Sequence, residues 1–219
     1  EYAYTLDGDS EGEIQYENFN ACGALVEFHG VSVHPGSSKD TMVNASLVAM
    51  EFDSMLPKGE TPRDTEGYEG FYHLLNMEGE CALAKLHYII RDHDVEKFNQ
   101  RKEIMKQITD DLNKKWGKGT VVLTLKDQYR NMREVIAQHM HLINNAKKAC
   151  ETVRLTPQCL PIRGGTDGCQ LSFRGLPCPN LGTGGHAYHG PYEHITVEGM
   201  DKAVEMITEL VKIYSIQYK

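Results

Sequence analysis

No stretch of this 219-residue chain reaches the roughly 18 consecutive apolar residues of a membrane-spanning helix, which argues against a helical membrane protein and any membrane partner. Positive charge is short as well. The 31 Asp and Glu outweigh the 23 Lys and Arg, for a net charge of −8. A nucleic-acid partner, which calls for a basic stripe, is therefore not expected. The opening stretch EYAYTLDGDSEGE has no basic segment, no apolar segment and no initiator Met. It does not read as a secretion signal, and the expectation is an internal or processed piece of a longer chain. CxxC pairs are missing: Cys22, Cys81, Cys150, Cys159, Cys169 and Cys178 are scattered, which speaks against a thiolate zinc site. A chain of this length needs no covalent staples, so free, buried thiols of a reducing cytoplasm are expected. No G-x-S-x-G elbow is present, which argues against a serine hydrolase built on Ser172 and His189.

What is present is a globular composition, 40% hydrophobic and 25% charged, with length for one large domain or two small ones. EYAYTL alternates into a strand ending at Asp7-Gly8. FNACGALVEFHG reads as a second strand with Ala24, Val26 and Phe28 on one side. Helical spacing follows at Met42, Ala45, Val48, Ala49, Phe52 and Met55, stopped by Pro57 and Gly59. FYHLLNMEG and CALAKLHYIIRDHD look like paired strands. The helix after them carries Phe98, Ile104, Met105, Ile108 and Leu112 in one stripe and ends at Gly117, before the strand TVVLTLKDQY. The order from Phe19 to Tyr129 is β-α-β-β-α-β, a small open sheet with two helices on one face. Beyond it come a helix (HMHLINNAKKACETV), a short strand into a glycine loop (CLPIRGGTDG), a short helix (CQLSFRG) and another short strand into glycines (CPNLGTGG). A long last helix should turn Met200, Ala203, Val204, Ile207, Leu210, Val211 and Tyr214 inward. This alternation suggests part of an α/β sheet covered by helices.

The chemistry sits in three loops. Asp7 and His189 fall by strand ends, where α/β sheets build their sites, and carboxylate and neutral imidazole are good zinc donors. Each also has a plainer reading: Asp before Gly as a turn, His among glycines as a loop residue. In GTGGHAYHG, His186 stands three residues from His189, a spacing that on a loop does not put both on one metal, and Glu193 is a candidate to hold the second ring nitrogen of His189. In PIRGGTDG, Arg163 precedes glycines that let backbone approach a ligand, Thr166 and Asp167 can cap a helix, and an Arg there can clamp a carboxylate. A plain strand–turn–helix with a surface Arg fits equally well. His34, in VHPGSS, stands before a Pro-Gly turn at a helix start.

The segments AYTLDG, FNACGALVEFHGVSVHPGSSKDTMVNA, TEGYEGFYHL, LHYIIRDHD, YRNMRE, PIRGGTDGCQLSFRGLPCPNL and TGGHAYHGPYEHITVEGM, in this order, closely resemble the peptidase T family, tripeptide aminopeptidases among the dizinc peptidases related to carboxypeptidase and aminoacylase enzymes. The resemblance covers essentially the whole chain. It implies an α/β fold: the C-terminal part of a zinc-peptidase catalytic domain (1–18 and 130–219) carrying an inserted α+β, ferredoxin-like lid (19–129) that makes a homodimer. It implies that Asp7 and His189 are zinc ligands, one on each of two metals. His34 is implied to reach from one subunit's lid to the partner's active site to help stabilise an oxyanion. Arg91 and Arg163 match substrate-binding positions.

The family's pattern also asks for a His-x-Asp motif, a bridging Asp and a Glu-Glu pair carrying the general base. This sequence contains no His-x-Asp and no Glu-Glu. The expectation is the C-terminal portion of a cytoplasmic tripeptide aminopeptidase, its two-zinc site incomplete and inactive without a missing N-terminal half. The alternative is a non-catalytic dimerisation module of the same family. Peptide is the implied substrate.

Overall fold

A computed structural model describes residues 1–217. The strands and helices are, in chain order, β1 (Thr5–Gly8), β2 (Glu13–Gln15), β3 (Asn20–His29), α1 (Ala45–Met55), β4 (Phe71–Gly79), β5 (Leu83–Asp92), α2 (Val95–Trp116) and β6 (Val121–Tyr129). They continue through α3 (Arg133–Ile136), α4 (His141–Thr152), β7 (Gln158–Cys159), α5 (Asp167–Phe173), β8 (Asn180–Gly182), β9 (Gly185–His186), β10 (His194–Ile195) and α6 (Val197–Gln217). The chain divides into two compact units: Glu1–Phe19 with Tyr129–Lys219, and Asn20–Gln128.

The unit Asn20–Gln128 is a four-stranded sheet in the order β4-β5-β3-β6. β3 and β5 pair antiparallel from Asn20↔Asp92 to His29↔Leu83, and β4 and β5 form an antiparallel hairpin. The strand period of two puts Cys22, Ala24, Val26 and Phe28 on one face, where they are buried with Leu86, Tyr88 and Ile90 under α1 and α2. Phe28 meets Phe52 of α1 edge to face at 5.7 Å. α1 starts where the Asn44 side chain accepts from the Leu47 amide, and α2 where Asp94 accepts from Glu96 and Lys97. Gly117, at φ +111°, ends α2 in a conformation that favours glycine. At the end of β5, the carboxylate of Asp92 is buried against Arg101, which also pairs with Glu60.

The other unit holds a mixed sheet in the order β1-β8-β2-β7: β1 runs parallel to β8, β2 parallel to β7 and antiparallel to β8. Its core gathers Ile14, Met132, Ile136, Leu142, Ile143, Leu181, Met206 and Leu210. Asn18, fully buried, accepts from the Met132 amide and donates to the carbonyls of Phe19 and Arg130. It thus ties the two ends of this unit where the chain leaves and re-enters it.

Three local expectations change. β2 is a strand the sequence pattern does not announce: its three residues carry one aliphatic, yet Glu13, Ile14 and Gln15 are all buried. CLPIRGG keeps only β7 and an isolated Asn18–Ile162 bridge as extended pairing. On α6 the packed face is Met206, Ile207, Leu210, Ile213 and Tyr214, while Met200, Val204 and Val211 are exposed.

Candidate functional site

Asp7 is the penultimate residue of β1, not a residue beyond its end, and its side chain is exposed. Its amide donates to the Oδ1 of Asn180 on β8 at 3.1 Å. Asn180 is fully buried and donates from Nδ2 to Gln15 Oε1 at 2.6 Å, and Gln15 donates from Nε2 to Glu13 Oε2 at 3.0 Å. This buried line crosses β1, β8 and β2 and fixes the backbone at Asp7. Burial, helped by the Asp9 charge, pushes the Glu13 carboxyl above its ordinary range.

The glycine loop after β8 is laid along the end of β1. Gly182 comes so close to the Ser10 carbonyl that a Cβ would stand 1.9 Å from its oxygen. The amides of Thr183 and Gly184 donate to the Asp9 carbonyl at 3.2 and 2.8 Å. The hydroxyls of Thr183 and Tyr188 each donate to the Gly8 carbonyl at 3.0 Å. The residue after Asp7 is thereby bonded to the residue before His189. His189 itself takes a left-handed backbone, φ +59°. His186 is on β9, opposite His194 of β10, with ring centroids 5.4 Å apart, and His189 lies in the connection between these two strands. Glu193 accepts from the His189 backbone amide at 3.0 Å, so the carboxylate expected on the imidazole holds the main chain instead.

His34 caps the 3-10 turn Pro35–Ser37: its Nδ1 accepts from the Gly36 amide at 3.1 Å. A neutral ring used this way carries its proton on Nε2 and presents a donor there. Arg91 donates to the carbonyls of Ile90 and Cys22 and to Gln128 Oε1, which seats its guanidinium on its own sheet. The Arg163 guanidinium lies 5.2 Å from the Phe19 ring centroid. Thr166 caps α5 by accepting from Cys169, but α5 has seven residues and Asp167 in its first turn, so its N-terminus offers an anion little.

All six cysteines are free; burial pushes Cys22 and Cys150 up to about 11, so neither offers a thiolate. Among the described residues, no three His, Cys, Asp or Glu stand together in a way that could hold a metal ion. Asp7 and His189 have the right donor chemistry, yet two donors fall short of the three a catalytic zinc takes from protein. Zinc therefore does not fit this chain's residues alone. Composition and spacing had not pointed to Thr183, Tyr188 or the Asn180–Gln15–Glu13 line. Their partners lie up to 180 positions away, as for Tyr188 and Gly8.

Residues 16–120 match the model of a peptidase dimerisation domain. The chain is 55% identical over 215 residues to a peptidase T of Clostridium perfringens, covering 98% of this chain and 53% of that protein. It is 52% identical over 214 residues to a peptidase T of Caldanaerobacter subterraneus, covering 98% and 52%. The chain thus spans about half the length of these curated relatives. In fold it is similar to the crystal structure of an aminopeptidase PepT from Bacillus cereus, with TM-score 0.81, 23% identity, and 95% of this chain and 56% of that one covered. A tripeptidase from Staphylococcus aureus gives TM-score 0.84 at 17% identity, covering 97% and 56%. Among the described residues, no helix is long and apolar enough to cross a membrane.

Proposed function

This chain belongs to the peptidase T family, and from that premise we propose that it is the C-terminal portion of a cytoplasmic, dizinc tripeptide aminopeptidase. The observation that supports the reading is that the hydroxyls of Thr183 and Tyr188 both bond the Gly8 carbonyl, so the residue after Asp7 is tied to the residue before His189. In this reading Asp7 and His189 would each give one ligand to a two-zinc site, and zinc held there would supply Lewis acidity. The remaining ligands and the general base come from an N-terminal half. His34, with its proton on Nε2, donates toward a developing oxyanion, and Arg91 and Arg163 bind peptide substrate. The units correspond to a partial catalytic domain (1–18 and 130–219) and a lid (19–129). The absence of any three-donor cluster among the described residues favours, as a second reading, a dimerisation module without chemistry of its own.

Hydrolysis separates the two. The chain alone should leave tripeptides intact. Co-expressed with the N-terminal half of the Clostridium perfringens relative, it should release the N-terminal residue. Persistent silence of a well-folded, zinc-loaded assembly would favour the module.

The lid should also make a homodimer. β4 is an edge strand of its sheet, and Leu75 and Met77 on it are 57% and 42% exposed. An apolar edge of this kind is a template for pairing with a second copy. Leu75→Lys with Met77→Lys should weaken self-association by roughly a hundredfold, as expected when a buried interface centre becomes charged. Sedimentation velocity reads this out, and an unchanged dimer would place the interface elsewhere.

A further inference from the structure

The last helix, α6, is apolar over a wider arc than the face it packs. Turning about 100° per residue, its apolar side chains between Val197 and Tyr214 run round an arc of roughly 200°, from Ile213 to Val197. Every charged residue in that stretch falls in the remaining sector. Part of the arc is packed: Met206, Ile207, Leu210, Ile213 and Tyr214 join the core. The other part is open, with Val197, Met200, Val204 and Val211 at 64%, 45%, 62% and 63% exposure. A helix that covers one core needs an apolar stripe only about 100° wide, so α6 carries the pattern of a helix with a layer on each side. Single exposed apolar residues are ordinary. These four instead form one strip, about 21 Å long from Val197 to Val211 and continuous with the buried face.

We propose that this strip of α6 is the docking surface for the N-terminal half of the enzyme. The inference rests on the reading of the chain as the C-terminal portion of a longer peptidase. Two observations select this occupant. The match to the Clostridium perfringens relative takes in 98% of this chain but 53% of that protein, so about half of a relative's length is available to cover the strip. The dimerisation-domain match spans residues 16–120 and includes none of α6, which belongs to the other unit, so a second copy pairing through that domain leaves the strip unused. The chemistry of the strip calls for an apolar partner face, because its side chains offer no hydrogen-bond donor and at most a weak thioether acceptor. On the polar sector, Lys202 pairs with Glu205 at 2.5 Å and Lys212 with Glu209 at 2.6 Å, which leaves that side to water.

The test mixes the 219-residue chain with the N-terminal half of the Clostridium perfringens relative and measures binding by titration calorimetry. Val204→Lys with Val211→Lys should weaken binding about a hundredfold, as when charge enters the centre of an apolar interface. Both positions are exposed, so circular dichroism and the melting of the chain alone should not change. Glu205→Lys, in the polar sector, should bind as wild type. Met200 reads the same surface with no substitution. In the chain alone, hydrogen peroxide should oxidise Met200 readily and Met206, 1% exposed, slowly. In the complex, oxidation of Met200 should slow toward the rate of Met206. Unchanged binding by the double lysine variant, or Met200 oxidised as fast in the complex as alone, would overturn the inference and leave the enzyme reading standing. Loss of self-association of the chain alone in the double variant would assign the strip to a second copy and overturn it as well. Failure of the unaltered chain to bind the N-terminal half at all would overturn the reading on which the inference rests.

Discussion

His189→Ala, made in the enzyme assembled with its N-terminal half, should lose at least one of two zinc ions and lower tripeptide hydrolysis by about a thousandfold. His186→Ala should leave both near wild type. The size follows from the several kcal/mol that a catalytic metal contributes, at about 1.4 kcal/mol per tenfold in rate. The asymmetry follows from the loop. His186 is paired within β9 opposite His194 of β10, while His189 lies in the connection between those strands, directly after Tyr188, whose hydroxyl bonds the Gly8 carbonyl. Metal analysis beside a tripeptide assay reads both variants. Loss of metal and activity in His186→Ala, with both retained in His189→Ala, would reverse the assignment.

Gly182→Ala should destabilise the unit that carries Asp7 and His189 by about 3 kcal/mol or more, at the upper end of what overpacking costs. The added methyl would stand 1.9 Å from the Ser10 carbonyl oxygen and 3.2 Å from Glu13 Cβ. The first neighbour is backbone in a turn closed by the Glu13 amide donating to Ser10, so it has no rotamer to escape through. β8 must then move off β2, and the Asn180–Gln15 bond goes with it. Gly164→Ala is the control. Its Cβ would meet nothing nearer than Ile162 Cγ2 at 3.9 Å, and the change should stay within about 0.5 kcal/mol. Urea unfolding of the two variants measures the difference, and equal midpoints would show that the close approach is not rigid.

The architecture of the unit Asn20–Gln128 was legible because its signals are local. Asp94 and Gly117 bracket α2, a Phe98–Leu112 stripe fills it, and β3 alternates with period two. The last helix was legible only in extent. It carries apolar residues on two faces, and spacing cannot say which one this chain buries. Met206 and Leu210 pack, whereas Val204 and Val211 remain exposed on a chain half the length of its relatives. At the candidate site, residue chemistry offered Asp7 and His189 as candidate donors, beside their plainer turn and loop readings, but not the contacts that hold their backbone. Glu193 was placed near His189 by sequence distance, and the left-handed turn at His189 instead presents its amide to that carboxylate. β2 escaped notice because three residues with one aliphatic make no pattern, although the buried Glu13–Gln15–Asn180 line runs through them.

Equilibrium dialysis of the 219-residue chain against zinc, followed by metal analysis and the intact mass of the same sample, tests most directly whether this chain holds only part of a two-metal site. With Asp7 and His189 as the protein donors, far less than one tightly held zinc per chain is expected. Two tightly bound zinc ions per chain of unaltered mass, with no co-purifying segment, would contradict it.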